Sequence, residues 1–205
     1  MTSIEKPNES NPPKTIGVVF VDRFADWEFG LLSASAVEWF GARAVAITPD
    51  GEPVRSMSGF QLNPLRSANP NENADLDGVA VIGSDVWASC DAPDVSALLT
   101  DLMKRGGVVG GICGATLALA KAGLFEHAGH TSNSRDFVAD AAPGYAGAGN
   151  YVDVANAVTD KRIVSAPGSA PGTFAIEFMA ALYPEQTGKT DAMRKLFAQE
   201  YAEAS

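Results

Sequence analysis

The chain has 205 residues, 46% of them hydrophobic and 20% charged, ordinary globular usage that excludes disordered and collagen-like classes. At this length one compact domain is expected, burying roughly 70% of the surface its unfolded chain exposes without a metal or disulfide staple. Lys and Arg number 15 against 25 Asp and Glu, a net charge of −10 with a pI near 4.6, which argues against nucleic acid and anionic membrane partners because both require a cationic face.

In chain order, residues 1–13 read as a disordered polar leader ahead of a single domain over 14–205. The leader lacks the apolar core of a signal peptide, and no apolar run approaches the ~20 residues that span a bilayer, so a soluble cytoplasmic protein is expected. Residues 15–21 (TIGVVFV) form a continuous β-branched run, the pattern of a strand covered on both faces. Residues 26–40 carry Leu32, Ala36, Trp39 and Phe40 at helical spacing, with Gly41 as the stop. A second strand is predicted over 43–48, then a polar stretch over 49–77 with hairpin-like pieces around Val54 and Phe60. Residues 79–82 (VAVI) end in Gly83, Ser84 and Asp85, and a helix is predicted over 93–103 with Pro93 at its start. A strand over 107–112 runs directly into Cys113, followed by a buried helix over 114–122 that Gly123 ends. Two strand-like halves over 151–165 flank a turn at 159–161, and helices over 173–182 and 191–202 close the chain. Such alternation implies a parallel sheet with helices on both faces and ligands at the carboxyl ends of its strands.

Residues 110–116 (GGICGAT) carry the chemistry. A residue held between strand and helix by a sharp turn needs small neighbours, and Gly111, Gly114 and Ala115 supply them around Cys113. This is the pattern of a nucleophile elbow with cysteine in place of serine. It sets the thiol beside a helix N-terminus, which favours thiolate, and beside the Gly114 and Ala115 amides, which suit an oxyanion. The alternative is a small buried cysteine whose glycines merely permit tight packing. Cys90 and Cys113 lack CxxC spacing, and His127 and His130 complete no zinc ligand set, so reduced thiols and no metal are expected.

The segments ADWE (25–28), VIGSDVW (81–87), GGICGAT and APG (166–168) stand in an order that resembles the PfpI superfamily, the class I glutamine amidotransferase-like group that includes PfpI-type intracellular proteases, the Parkinson's-associated protein deglycase and isocyanide hydratase. The likeness runs over residues 15–182. It implies a three-layer α/β/α sandwich with a flavodoxin-like, mostly parallel sheet and a nucleophile elbow. It further implies Cys113 as nucleophile, Glu28 close to its sulfur, an oxyanion or anion site at the amides of Gly83, Ser84 and Gly114, and association as a homodimer, with no cofactor and no metal. The Glu28 role makes physical sense only if that carboxyl is protonated or shares a proton with the thiol; without the family Glu28 is an ordinary acid in the first turn of a helix.

This chain also departs from the pattern. Ile82 stands where the family turn often has Pro, and Ser84 where it often has a second Gly. Gly114 occupies the position of a histidine in protease-like members, and Asn133 that of a histidine in several relatives. No histidine follows His130, so glutaminase activity is not expected. His130 reads as a helix C-terminal dipole partner rather than a catalytic group, Cys90 as a loop residue rather than a resolving thiol, and Trp27 and Trp87 as pocket walls or core. The leading functional expectation is a cysteine-dependent hydrolase, hydratase or lyase acting on a small carbonyl-like or isocyanide-like electrophile. The alternatives are a redox-sensing or stress-protective protein using reversible Cys113 oxidation, and a non-catalytic binding module.

Overall fold

The computed structural model describes residues 12–199; most of the leader, and residues 200–202 of the last expected helix, lie outside them. Seven strands form one sheet in the order β5 (Arg66–Ser67), β2 (Arg43–Thr48), β1 (Thr15–Val19), β6 (Gly78–Val81), β7 (Val108–Ile112), β9 (Ile163–Ala166), β8 (Val158–Asp160). All neighbours are parallel except the edge pair of β8 and β9. The five central strands follow the flavodoxin-like order, whose reversal lies between β1 and β6 and opens a crevice at their carboxyl ends. A two-residue ribbon pairs β3 (Val54–Arg55) with β4 (Gln61–Leu62) outside that sheet, where the hairpin-like pieces are expected.

The continuous apolar runs are strands covered on both faces: every residue of β1, β6, β7 and β9 is buried. Helices α1 (Asp26–Phe40), α5 (Pro171–Leu182) and α6 (Thr187–Ala198) cover one face, joining Leu32, Ala36, Phe174, Phe178 and Met193 to Ile16 and Val18. Helices α2 (Ser96–Lys104), α3 (Thr116–Lys121) and α4 (Arg135–Ala141) cover the other, where Leu98, Leu102, Leu119 and Val138 pack on Val79 and Val109. The expected three-layer α/β/α sandwich is therefore the fold. Gly41 ends α1 in the left-handed conformation, at φ 68°, as its placement predicts.

Local differences have physical causes. Helix α2 starts three residues after Pro93, where the Asp94 carboxylate accepts the Ser96 N–H at 2.9 Å and initiates the turn. Helix α4 is unanticipated; its N-cap is Ser134, whose hydroxyl accepts the Phe137 N–H at 3.0 Å. His130 makes a single parallel bridge with Tyr151 outside the sheet. Of the two halves expected over 151–165, the first is strand only at β8, and the turn falls at Lys161 and Arg162, both at positive φ. Among the described residues no helix is long and apolar enough to cross a membrane.

Candidate active site

Cys113 sits where β7 ends, at φ 59°, a left-handed conformation that costs a non-glycine residue about 1–3 kcal/mol and persists only where its surroundings hold it. Its neighbours show how it is held. A Cβ on Gly114 would lie 2.4 Å from the Ser84 carbonyl oxygen, and one on Gly111 would lie 2.7 Å from Leu119. Thr116 Oγ1 donates to the Cys113 carbonyl at 2.7 Å and shares a 2.6 Å hydrogen bond with Ser132 Oγ. The small residues around the cysteine thus serve the tight turn that their pattern predicts. The segment just after it is a three-residue 3-10 turn, Cys113–Ala115, and α3 has only six residues, so the helix-terminus field on the sulfur is weaker than a long helix would supply.

Glu28 is the third residue of α1 and has no solvent exposure. A reciprocal clamp fixes it: Ala25 N–H donates to the Gly83 carbonyl at 2.9 Å, and Gly83 N–H donates to Glu28 Oε2 at 2.7 Å. The Gly83 amide is therefore committed to Glu28, which narrows the expected anion site to the amides of Ser84 and Gly114. The other carboxyl oxygen, Oε1, is buried and receives no hydrogen bond; it and the Cys113 sulfur both border Gly168, whose added Cβ would lie 3.2 Å from the one and 2.7 Å from the other. Burial pushes Glu28 up to about 7, against the opposing pull of the Gly83 amide and the thiol.

Burial also raises the Cys113 thiol, and the nearby Glu28 charge raises it further; the Asn133 amide and the Gly114 N–H oppose this. The rise is the reverse of the depression that the helix-terminus argument predicts. Two anions in contact repel, so the pair keeps one proton between Glu28 and Cys113 after the first has left. Its two titration steps belong to the pair rather than to either residue.

Asn133 completes the surroundings of the sulfur. Its Nδ2 donates to Sγ at 3.4 Å, and its Oδ1 accepts the Gly168 N–H at 3.0 Å, which fixes which end of the amide faces the thiol. The loop carrying it is anchored from below by the Thr131 N–H donating to Ser165 Oγ at 2.9 Å. Trp27 Nε1 donates to the Gly168 carbonyl at 3.1 Å, so this one glycine, reached from the β9 end through Ala166 and Pro167, links the tryptophan and the asparagine.

These groups line a cavity of about 140 Å³ at the carboxyl ends of β1, β6 and β7. Cys113, Glu28, Gly83, Ser84, Gly114 and Trp27 all border it, together with Asn133, Met57 and Phe137. The Ser84 hydroxyl is not a site group: it donates to the Asp22 carbonyl at 2.6 Å and accepts the Val86 N–H at 3.1 Å. Trp87 belongs to the core, with its indole N–H on the Ile82 carbonyl at 2.8 Å. His130 is buried away from the cavity, stacked on Phe125 and hydrogen-bonded to the Ala128 carbonyl and the Tyr145 hydroxyl. Cys90 is exposed and does not border the cavity. Among the described residues no group of three or more His, Cys, Asp or Glu is arranged to hold a metal ion.

A sequence-family model described as the DJ-1/PfpI family matches residues 14–183. Two proteins of Bacillus subtilis (strain 168) are similar to the chain. "Uncharacterized protease YoaZ" is 29% identical over 165 residues, covering 77% of this chain and 78% of that protein. "Uncharacterized protease YdeA" is 30% identical over 159 residues, covering 76% and 77%. Among solved structures, the DJ-1 superfamily protein Atu0886 from Agrobacterium tumefaciens is 34% identical and superimposes with a TM-score of 0.81, covering 92% of this chain and all of that one.

Proposed function

The chain belongs to the DJ-1/PfpI family, and from that premise we propose that it is a cysteine-dependent hydrolase, hydratase or lyase acting on a small electrophile of carbonyl or isocyanide type. The observation that carries this reading is a buried carboxyl, one oxygen of it without a hydrogen-bond partner, beside an elbow thiol at the wall of a cavity. With a carbonyl substrate, the Cys113 sulfur bonds to the electrophilic carbon while the thiol proton passes to Glu28. The C=O π pair moves to the oxygen, where the Ser84 and Gly114 amides face the developing charge, and Glu28 returns the proton to that oxygen. The product of this step is a hemithioacetal, and it consumes nothing beyond thiol and carbonyl.

Peptide cleavage suits the site less well. A leaving amine needs a further acid aimed at its nitrogen; Glu28 is engaged with the thiol and the substrate oxygen in this scheme, and neither His130 nor the exposed His127 borders the cavity. The test is a screen of aldehydes, isocyanides and thioesters with the native chain and three variants. Turnover is expected to vanish in Cys113→Ala, fall in Glu28→Gln and persist in Cys90→Ser. Turnover that survives Cys113→Ala contradicts the proposal.

A second reading, reversible oxidation of Cys113 as a redox signal, is favoured by the Asn133 amide that donates to its sulfur, which would also hold a sulfenic oxygen. Selective peroxide oxidation of Cys113 without turnover in the same screen supports it over the first. For either reading we expect a homodimer, the association state that the family resemblance implies, and sedimentation of the full chain tests it.

A further inference from the structure

We propose, resting on the reading of Cys113 as a nucleophile, that the cavity selects uncharged electrophiles carrying one apolar group and discriminates against anionic ones. Its size comes first. About 140 Å³ is close to the volume of an engineered protein cavity that takes up benzene, so one ring or a short alkyl arm fills it.

The walls come next. Trp27 from α1, Met57 beyond β3 and Phe137 from α4 converge on the cavity. Trp27 is 54% exposed and Met57 43%. Large apolar side chains left to water around one opening mark a surface that an apolar group can cover. The Trp27 wall is fixed rather than adaptable, because its indole N–H is bound to the Gly168 carbonyl.

The charges decide the rest. The ionisable residues bordering the cavity are Glu28, Asp85 and Cys113; among the described residues no Lys, Arg or His borders it. Asp85 pairs with Arg23 at 3.5 Å, and side-chain exposures of 63% for Arg23 and 77% for Asp85 make this a surface pair of little energy. A carboxylate on the substrate would lose water against a buried carboxyl with no cation to offset the loss. A neutral molecule escapes that cost. Its reacting carbon meets the Cys113 sulfur, the oxygen that gains charge during attack meets the Ser84 and Gly114 amides, and its apolar arm lies against Trp27, Met57 and Phe137.

The test is alkylation, which needs a reactive thiol but no turnover. In each reaction the sulfur–carbon bond forms as the carbon–iodine bond breaks, iodide leaves, and the thiol proton is lost to Glu28 or solvent. Iodoacetamide, iodoacetate and N-benzyliodoacetamide are compared on the full chain carrying Cys90→Ser, with 2-mercaptoethanol as the reference thiol. The iodoacetamide-to-iodoacetate rate ratio is expected to exceed that of the reference by about tenfold or more. N-benzyliodoacetamide should be several-fold faster than iodoacetamide on the same scale. Phe137→Ala should reduce the benzyl advantage, and Met57→Arg should narrow the charge ratio. A ratio no greater than the reference, or a benzyl reagent no faster than iodoacetamide, overturns this inference and leaves the nucleophile standing. Labelling by none of the three overturns the nucleophile reading and this inference with it.

Discussion

At the scale of single residues, the Asn133 amide is a donor that cannot titrate. Its Oδ1 is occupied by the Gly168 N–H, so Nδ2 faces the Cys113 sulfur at every pH, stabilising thiolate without adding a second proton carrier beside Glu28. Asn133→Ala is therefore expected to raise the thiol further and slow alkylation near neutral pH by about tenfold, a loss at the lower end for a hydrogen bond to a charged group. Alkylation rates of the two proteins check this, and an unchanged rate would remove Asn133 from the site. Cys113 is legible in the sequence because its small neighbours are adjacent to it. Glu28 lies 85 positions earlier and reads locally as an ordinary first-turn acid, so its place beside the sulfur comes only from the family likeness. Asn133 stands where the family resemblance leads one to expect a histidine in several members, yet its contact depends on how the loop after α3 returns to the sheet, which no local pattern encodes. The Ser84 hydroxyl and the Gly83 amide are likewise spent on partners distant in sequence, Asp22 and Glu28.

At the scale of elements, the strand–elbow–helix unit carries the tightest steric demand. A methyl group on Gly114 would meet a backbone oxygen at 2.4 Å, which no rotamer change relieves. Gly114→Ala should therefore displace the loop after β6 against the elbow, lowering stability by about 1–3 kcal/mol and depressing Cys113 reactivity as well. Denaturant midpoints together with alkylation rates measure both effects, and a variant of native stability and reactivity would mean that the two turns are not packed as described. Elements with strong local patterning, the apolar central strands and α1, are readable from sequence. Helix α4 is not: seven residues offer little periodicity, and its one signal is the Ser134 cap. The segment over 151–157 alternates like a strand but is mostly irregular; its one ladder contact is the bridge from Tyr151 to His130.

For the whole molecule, the sheet order brings the loops after β1, β6, β7 and β9 to one end, and burying Glu28 there has a cost that depends on pH. Burial raises the first titration of the Glu28–Cys113 pair to about 7 against the carboxyl's ordinary value of 4.5, so between those values the native state binds more proton than the unfolded chain. Stability contributed by this group is full below about 4.5 and declines as pH rises toward 7, by about 3 kcal/mol on the scale of 1.36 kcal/mol per pKa unit. Glu28→Gln should flatten that slope in urea unfolding measured from pH 4.5 to 7.5; a slope unchanged by the substitution would mean that another group causes it. The central claim is that Glu28 and Cys113 share one proton, and the pH dependence of Cys113 alkylation in the Cys90→Ser background tests it most directly. The predicted profile has two steps, one near pH 7 that disappears in Glu28→Gln, and one above the ordinary thiol range that moves down in the same variant because the neighbouring negative charge is gone. A single step in the ordinary thiol range, identical with and without the Glu28 carboxyl, would contradict it.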